Sequence, residues 1–434
     1  MAFYLKGTHV PHHKNTAGMA PVQMPAPESI TLPVQMHIGA PAVPVVKVGD
    51  HVNVGTLVAE QNGGLSSPVY SGISGTVSAL SEIRLANGNT VPAITITSDG
   101  AMTVDESVTP PVVTSREELG QALLKSGIVG LGGAGFPTYV KFGGKSEIEQ
   151  LVINGAECEP YITSDSVTMT ENAEEIAYAI GILAKYFEIK NVIIGIEKNK
   201  PAAIDSMKNL SVEGTTVEVK VLPSIYPQGG EKVLVYHTTG KVIGEGKLPI
   251  DVGCVVCNCS TIAAIGKYLK TGMPLVERCI TVDGGAVKEP KNVIVPIGTS
   301  IKDVFEFCGG FLGDPAKVLY GGPMMGIAVA TMDAPILKNT NAILALDKKQ
   351  ATPPKTTPCI HCGACTNHCP FGLDPAAFAR AYGHRDLEAL EKLGLGICME
   401  CGCCSYVCPA KRPLVQNNKL AKVALRAAKA KEAK

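Results

Sequence analysis

Two hydrophobic rhythms alternate through the middle of the chain. From Ser115, the apolar residues Leu119, Leu123 and Leu124 recur at helical spacing. Ser115 offers an N-cap hydroxyl, and Glu118 three residues later completes a capping-box pattern. Leu151 to Ile153 and Val192 to Ile196 are short apolar runs that read as buried strands, with a helix expected between them from about Glu171 to Phe187. A strand from about Val217 to Leu222 follows another candidate helix. Strand–helix–strand alternation predicts an α/β layer with ligands at the strand ends. Nearer the C-terminus, Asp374 to Leu393 reads as helical, with an apolar stripe of Ala376, Ala377, Ala379, Leu387, Leu390 and Leu393. Asn417 to Lys434 mixes alanine with lysine and arginine and reads as a solvated helix, with contact to an anionic membrane surface or a partner as the lesser alternative. No run of roughly 18 apolar residues occurs, so no membrane-spanning helix is expected.

Composition narrows the class. A chain of 434 residues exceeds one ordinary domain and calls for several packing units. Hydrophobic residues at 45% against 18% charged make a globular rather than a disordered chain. Thirty-nine basic residues balance 39 acidic ones, so the basic excess of a general nucleic-acid binder is missing and no nucleic-acid partner is expected. His9, Pro11, His12, His13 and Lys14 stand where an export signal needs an apolar core; the three histidines read as part of a solvated terminal arm. The chain is therefore expected in the cytoplasm, where 15 cysteines point to metal ligation or redox chemistry rather than disulfides.

Eight of those cysteines carry the strongest signal. Cys359, Cys362, Cys365 and Cys369, followed by Pro370, have the spacing CxxCxxCxxxCP; Cys398, Cys401, Cys404, Cys408 and Pro409 repeat it. Each triplet wraps one face of an iron–sulfur cube, and in two-cluster ferredoxins the fourth cysteine of each run ligates the other cluster. That rule assigns Cys359, Cys362, Cys365 and Cys408 to one [4Fe–4S] cluster, and Cys398, Cys401, Cys404 and Cys369 to the second. Zinc sites built from two separated CxxC pairs do not match this pattern. Cys403 breaks no ligand spacing and reads as a packing thiol. Thr352 to Pro358, with three prolines in seven residues, reads as a stiff linker.

The string GIVGLGGAGFPTYVKF holds Gly127, Gly130, Gly132, Gly133 and Gly135. Glycines at this density let backbone amides approach a phosphate or a ring system, and Lys141 or Lys145 offers a counter-charge. The string is neither a Walker loop nor a GxGxxG after a strand. Taken alone it leaves ligand loop and plain glycine turn both open. Cys254, Cys257 and Cys259 read as packing or ligand-side residues, and Cys158, Cys279 and Cys308 give no ligand spacing.

Several strings carry a family resemblance. GLGGAGFPTYVKF at 130–142, NGAECEP at 154–160, YPQGGEK at 226–232 and CNCST at 257–261 resemble the flavin loops of the NADH-oxidising 51-kilodalton subunit family of respiratory complex I. VVKVGDHVNVGTLVAE and SSPVYSGISGTV, within 44–80, look like the half-motifs of a biotinyl/lipoyl-type barrel-sandwich domain. No lysine lies between Glu60 and Tyr70, so that domain is expected to be scaffold. ITVDGGAVKEP and VLYGGPMMG, within 274–330, are similar to a soluble-ligand-binding β-grasp (SLBB) unit. Together these features resemble the RnfC family of the Rnf electron-transport complex.

The resemblance implies a multidomain fold of mixed α/β and α+β class. Its parts are an N-terminal arm and all-β barrel-sandwich hybrid domain (1–110), a Rossmann-like α/β FMN/NADH domain (111–272), an SLBB β-grasp domain (273–350), a helical dicluster ferredoxin module (351–416) and a basic tail (417–434). It implies FMN, bound non-covalently, on Gly130, Gly132, Gly133, Gly135, Lys141, Asn154, Tyr226, Gly229, Gly230, Asn258 and Thr261. Phe136 would stack on the nicotinamide side, Glu159 and Glu231 would face the dinucleotide, and Glu157 would lie near the flavin. All four position NADH, and no general acid or nucleophile is implied.

Leucine at 131, alanine at 156, glycine at 230 and cysteine at 257 replace arginine, aspartate, glutamate and asparagine of the complex I family, removing polar flavin contacts. The implied activity is electron exchange between NAD(H), FMN and two [4Fe–4S] clusters in a ferredoxin:NAD+ oxidoreductase that translocates Na+ or H+. The implied partners are membrane-embedded and ferredoxin-like subunits at the cytoplasmic face of the membrane, with this chain in peripheral contact. A soluble flavin and iron–sulfur reductase of the cobalamin reductase type is the alternative, although its sandwich domain follows the clusters instead of preceding the flavin domain. A ferredoxin-type scaffold with a decayed flavin site is a third reading.

Overall fold

The computed structural model describes residues 5–86, 88–144 and 147–432. Lys145, one of the two counter-charge candidates, lies outside them. The N-terminal β unit consists of β1 (Ser29–Pro33), β2 (Val43–Pro44), β3 (His51–Val52), β4 (Leu57–Glu60), β5 (Val69–Tyr70), β6 (Gly75–Arg84) and β7 (Thr90–Ser98). They form two small sheets, ordered β1-β7-β6-β3 and β2-β4-β5. Ile30, Leu32, Val77, Ile94 and Ile96 alternate inward along these strands, as one buried sheet face requires. Their core is continuous with that of the next unit, through Leu119, Leu123, Ile128 and Ile153.

The second unit is the α/β layer. It runs α1 (Arg116–Lys125), β8 (Gln150–Gly155), α2 (Ser164–Glu171), α3 (Ala173–Phe187), β9 (Asn191–Glu197), α4 (Pro201–Lys208), β10 (Thr216–Leu222), α5 (Glu231–Thr239), β11 (Cys254–Asn258) and α6 (Cys259–Thr271). Ser115 caps α1 by accepting from the Glu118 amide, but the Glu118 carboxylate returns to the Thr114 amide and hydroxyl, one residue earlier than the expected box. The helix expected from about 171 to 187 is α3, which starts at Ala173 because Asn172, at φ −115° and ψ 31°, is not helical and separates it from α2. The four strands are parallel in the order β10-β9-β8-β11. The chain winds outward from β8 to β10 and then returns to the opposite side of β8. The crevice between the C-terminal ends of β8 and β11 is thus the topological switch point, where open parallel sheets bind ligands.

The third unit is a mixed sheet of β12 (Glu277–Asp283), β13 (Lys291–Pro296), β14 (Lys317–Tyr320) and β15 (Ala342–Leu346), with α7 (Ile301–Phe307) packed on it. Its central order is β13-β12-β15-β14; Val22–Gln23 and Ile327–Ala328 add the two edges. The last unit is helical: α8 (Pro375–Gly383), α9 (Leu387–Lys392) and α10 (Leu414–Glu432) surround the two cysteine loops. The stripe expected over 374–393 is corrected in part. Phe378, Ala381 and Leu390 form the buried face with Leu395 and Ala421, whereas Leu393 is exposed, because Arg385 in a left-handed turn ends α8 and resets the helical phase. Among the described residues no helix is long and apolar enough to cross a membrane.

The N-terminal arm keeps His9 and His13 exposed, as expected, but it is docked rather than free. Thr8 pairs with Tyr226, the His12 carbonyl accepts from the Tyr161 amide, and the His13 ring stacks on Tyr161 at 5.1 Å. Burial holds His12 below its ordinary pKa. The reason is Lys14, whose ammonium enters the 154–160 loop and donates to the carbonyls of Glu157 (2.9 Å), Glu159 (3.0 Å) and Ile162.

Candidate functional site

Asn154 and Asn258 end the two strands that flank the switch point, and they are register partners. Asn258 is also the N-cap of α6, its Oδ1 accepting from the amides of Ser260 and Thr261. Its Nδ2 donates to Asp165 Oδ2 at 2.7 Å, which fixes the side-chain amide. The glycine loop lies directly above it. A Cβ at Gly132 would stand 2.5 Å from Asn258 Nδ2, so only glycine lets the backbone come this close without displacing that amide. The loop is closed by the Gly130 amide donating to the Phe136 carbonyl at 2.8 Å, and anchored by Leu131 N to Thr261 Oγ1 at 3.0 Å. Gly135, at φ 70°, turns it back. Gly132 and Gly133 are both exposed to solvent, and a Cβ at Gly133 would meet nothing.

On the far side, Asn154 Nδ2 donates to the Gly229 carbonyl at 3.0 Å, and a Cβ at Gly229 would lie 2.6 Å from the Ala156 carbonyl. Gly132, Asn258, Asn154 and Gly229 therefore form one continuous rim over the strand ends. A glycine backbone held open above two strand-end amides is a cradle of the kind a phosphorylated ring cofactor needs, so the residues present fit FMN. Lys141 Nζ donates to the Val256 carbonyl at 2.6 Å and stands 3.9 Å from the exposed Glu231 carboxylate. Phe136 is half-buried at the loop's end.

Three of the expected site residues are turned elsewhere. Glu157 is buried, accepting from Asp165 N at 2.7 Å and Ser166 Oγ at 2.8 Å, with Lys14 Nζ at 3.7 Å; it caps α2, and burial raises its pKa. Glu159 accepts from the amides of Met324 (3.1 Å) and Met325 (2.8 Å) in the GGPMMG loop, and burial pushes it up to about 7. Tyr226 donates from its hydroxyl to the Cys401 carbonyl at 2.7 Å. Gly230 lies against Met399 Cε, so the glutamate of the complex I pattern fits at 230 only if Met399 is displaced.

The cysteines converge on two cavities. Cys359, Cys362, Cys365 and Cys408 line one of about 200 Å³. Cys369, Cys398, Cys401 and Cys404 line the other, with Cys403 beside them donating toward the Tyr226 carbonyl. Among the described residues no His, Cys, Asp or Glu side chains gather as a single metal ion requires. Four thiols spread around a cavity instead fit a cubane. Cys398 Sγ already accepts from the Glu400 amide (3.4 Å) and Asn418 Nδ2 (3.5 Å), as an anionic cluster sulfur would.

Sequence reasoning missed Lys14, Asp165, Arg278 and Asn418. Arg278, buried on β12, donates to the Leu131 carbonyl at 3.1 Å and brings a guanidinium under the loop from another unit. Each meets its partner across a long sequence interval, so no local spacing announces it.

Matches to known families follow the same order along the chain: RnfC barrel sandwich hybrid domain over residues 3–101, Nuo51 FMN-binding domain over 123–267, SLBB domain over 279–328 and 4Fe-4S dicluster domain over 355–419. A relative from Clostridium ljungdahlii, the C component of its proton-translocating ferredoxin:NAD(+) oxidoreductase complex, is 41% identical over 98% of this chain and 94% of its own. The chain belongs to the RnfC family. The counterpart in the Na(+)-translocating complex of Acetobacterium woodii is 39% identical over 88% of this chain and 87% of its own. That of the ion-translocating oxidoreductase complex of Rhodobacter capsulatus is 41% identical over 96% and 82%. The sandwich, flavin, SLBB and dicluster content expected of this RnfC chain is thereby established, and with it a place in a multi-subunit complex.

Proposed function

We propose that this RnfC chain exchanges hydride between NAD(H) and FMN and single electrons with two [4Fe–4S] clusters, as the peripheral subunit of a membrane-bound ferredoxin:NAD+ oxidoreductase that translocates Na+ or H+. The observation that carries the reading is the join between the two sites: Tyr226, on the YPQGGEK loop of the flavin rim, hydrogen-bonds the backbone of Cys401 at 2.7 Å. FMN supplies the conversion between paired and single electrons.

The chain's own residues bind and orient. Gly130, Gly132, Gly133, Gly135, Asn154, Gly229, Asn258 and Thr261 form the flavin cradle, and Lys141 supplies positive charge beside it. Gly230 gives the close approach to Met399, and Tyr226 ties the cradle to the second cysteine loop. Phe136 and Glu231 border the open side and are assigned to the dinucleotide. Glu157 and Glu159 hold the 154–160 loop from beneath. Cys359, Cys362, Cys365 and Cys408 ligate one cluster; Cys398, Cys401, Cys404 and Cys369 ligate the other. The membrane-embedded and ferredoxin-like subunits are its partners at the cytoplasmic face.

The test is to reconstitute the purified chain anaerobically with iron, sulfide and FMN, then add NADH. Loss of the oxidised-flavin absorbance with cluster EPR signals appearing is expected. Flavin that stays oxidised beside silent clusters sinks the reading.

A further inference from the structure

The two cysteine cavities are unequal in surroundings. The cavity of Cys369, Cys398, Cys401 and Cys404 faces inward. Tyr226 bonds its loop, Met399 presses on Gly230, and a Cβ at Gly402 would stand 3.1 Å from the Met324 carbonyl of the SLBB unit. The other cavity faces out: Cys362 is exposed, and Ile360 beside it is 66% exposed, a large apolar side chain that no described residue covers.

The rim of this outer cavity is basic. Arg380 and Arg412 stand in its wall. Thr357 N bonds the Ala410 carbonyl at 3.0 Å and Thr356 Oγ1 the Lys411 carbonyl at 3.1 Å, so the exposed Lys355 and Lys411 belong to two paired segments that run beside the wall residues Ala410 and Arg412. Among the described residues none of these four cations has an ion-pair partner. The one carboxylate in the wall, Asp374, already accepts from the amides of Ala376 and Ala377 as the cap of α8. In a chain whose total charge is zero, four unpaired cations around one exposed cysteine loop make a local positive field.

We propose that this rim is the electron port of the chain, docking an acidic protein that carries its redox centre at its surface, with Ile360 as the apolar contact and the four cations as the steering field. The inference rests on the cluster assignment above. In the step, one electron leaves the partner's centre and enters the chain's outer cluster, or the reverse, with no bond made or broken. Opposite fields chiefly raise association rates and lose force in salt.

The probe is an acidic bacterial 2[4Fe–4S] ferredoxin. Chemically reduced ferredoxin is mixed with the reconstituted, oxidised chain, without NADH or FMN, so a failure of the NADH reading leaves this test intact. The second-order rate is expected to fall with salt, and to fall about tenfold at low salt in K355E/K411E. The milder K355Q/K411Q gives an intermediate rate and serves if the double reversal fails to fold. Carbodiimide, which joins carboxylates to amines, is expected to cross-link ferredoxin to Lys355 or Lys411 of the unaltered chain whether or not its clusters are loaded. Equal rates in the original and both variants, or cross-links only to lysines elsewhere, overturn the proposal. So does loss of binding to phosphatidylglycerol vesicles in the variants with ferredoxin transfer unchanged, which would make the rim a lipid contact.

Discussion

Asn258 spends both ends of its side-chain amide: the oxygen caps α6 and the nitrogen meets Asp165 under Gly132. Asn258→Ala is expected to cost about 1 kcal/mol as a lost N-cap and, beyond that, to weaken FMN uptake. Gly132→Ala keeps the cap and is expected to impair uptake alone, because its Cβ would push on Asn258 Nδ2. Denaturant melts and flavin absorbance after gel filtration separate the two effects. Asn418 offers a cleaner test of the inner cluster. Its Nδ2 donates to Cys398 Sγ at 3.5 Å, and a hydrogen bond to sulfur favours the more negative, reduced cluster. Asn418→Ala is therefore expected to lower the midpoint potential of one cluster and leave the other unchanged in an EPR titration. The eight cysteines were legible because cluster ligation leaves a fixed spacing, whereas the glycines and Asn258 stood out only through the family resemblance of their strings. Asn418 was not legible, since it lies 20 positions from its sulfur and reads as an ordinary helical polar residue.

Periodicity located the helices but not their breaks. The helix read from about 171 to 187 is there from Ala173, but α2 just before it was not read: Asn172 turns the chain so that α2 lies near the strand ends while α3 packs on α6, and buried residues on both helices hide the corner. In the dicluster unit the corner did have a signal. Asp374 and Asp386 each accept from amides of the following turn, so two N-caps stand where one helix was expected. The final helix shows the opposite error, read as solvated when one side is core. Ala421 is fully buried against α8 and α9, and Lys422 donates to the Cys398 carbonyl while standing 3.1 Å from Glu400. Truncation after Leu420 is accordingly expected to lower iron content toward about four per chain and to destabilise the module, measured by iron analysis and thermal melting. Retention of both clusters would return the helix to a peripheral role.

Lys338 lies where three units meet. Its ammonium donates to Ser67 Oγ (3.2 Å) and the Pro68 carbonyl (2.5 Å) of the sandwich hairpin, and to the Gly127 carbonyl (2.7 Å) at the end of α1, from a segment between the last two strands of the SLBB sheet. A carrier domain of the sandwich type would present its modified lysine on that hairpin; here the hairpin lacks one and receives a lysine from outside instead. All three partners are neutral oxygens, and burial alone pulls Lys338 down to about 7. An unfolded lysine holds its proton to about 10.4. Between those two values the unfolded chain keeps a proton that the folded chain has released, so a rise in pH favours the folded state there. From pH about 7 to about 9 this amounts to about 2 kcal/mol. Lys338→Met removes the titrating group and leaves three oxygens without their donor, so the variant is expected to be less stable throughout but to lack that rise. Urea midpoints of both proteins at the two pH values measure the difference, with other titrating groups cancelling between them. Parallel pH responses would mean that the three oxygens keep Lys338 charged across the range, and that the junction is held by an ammonium ion throughout.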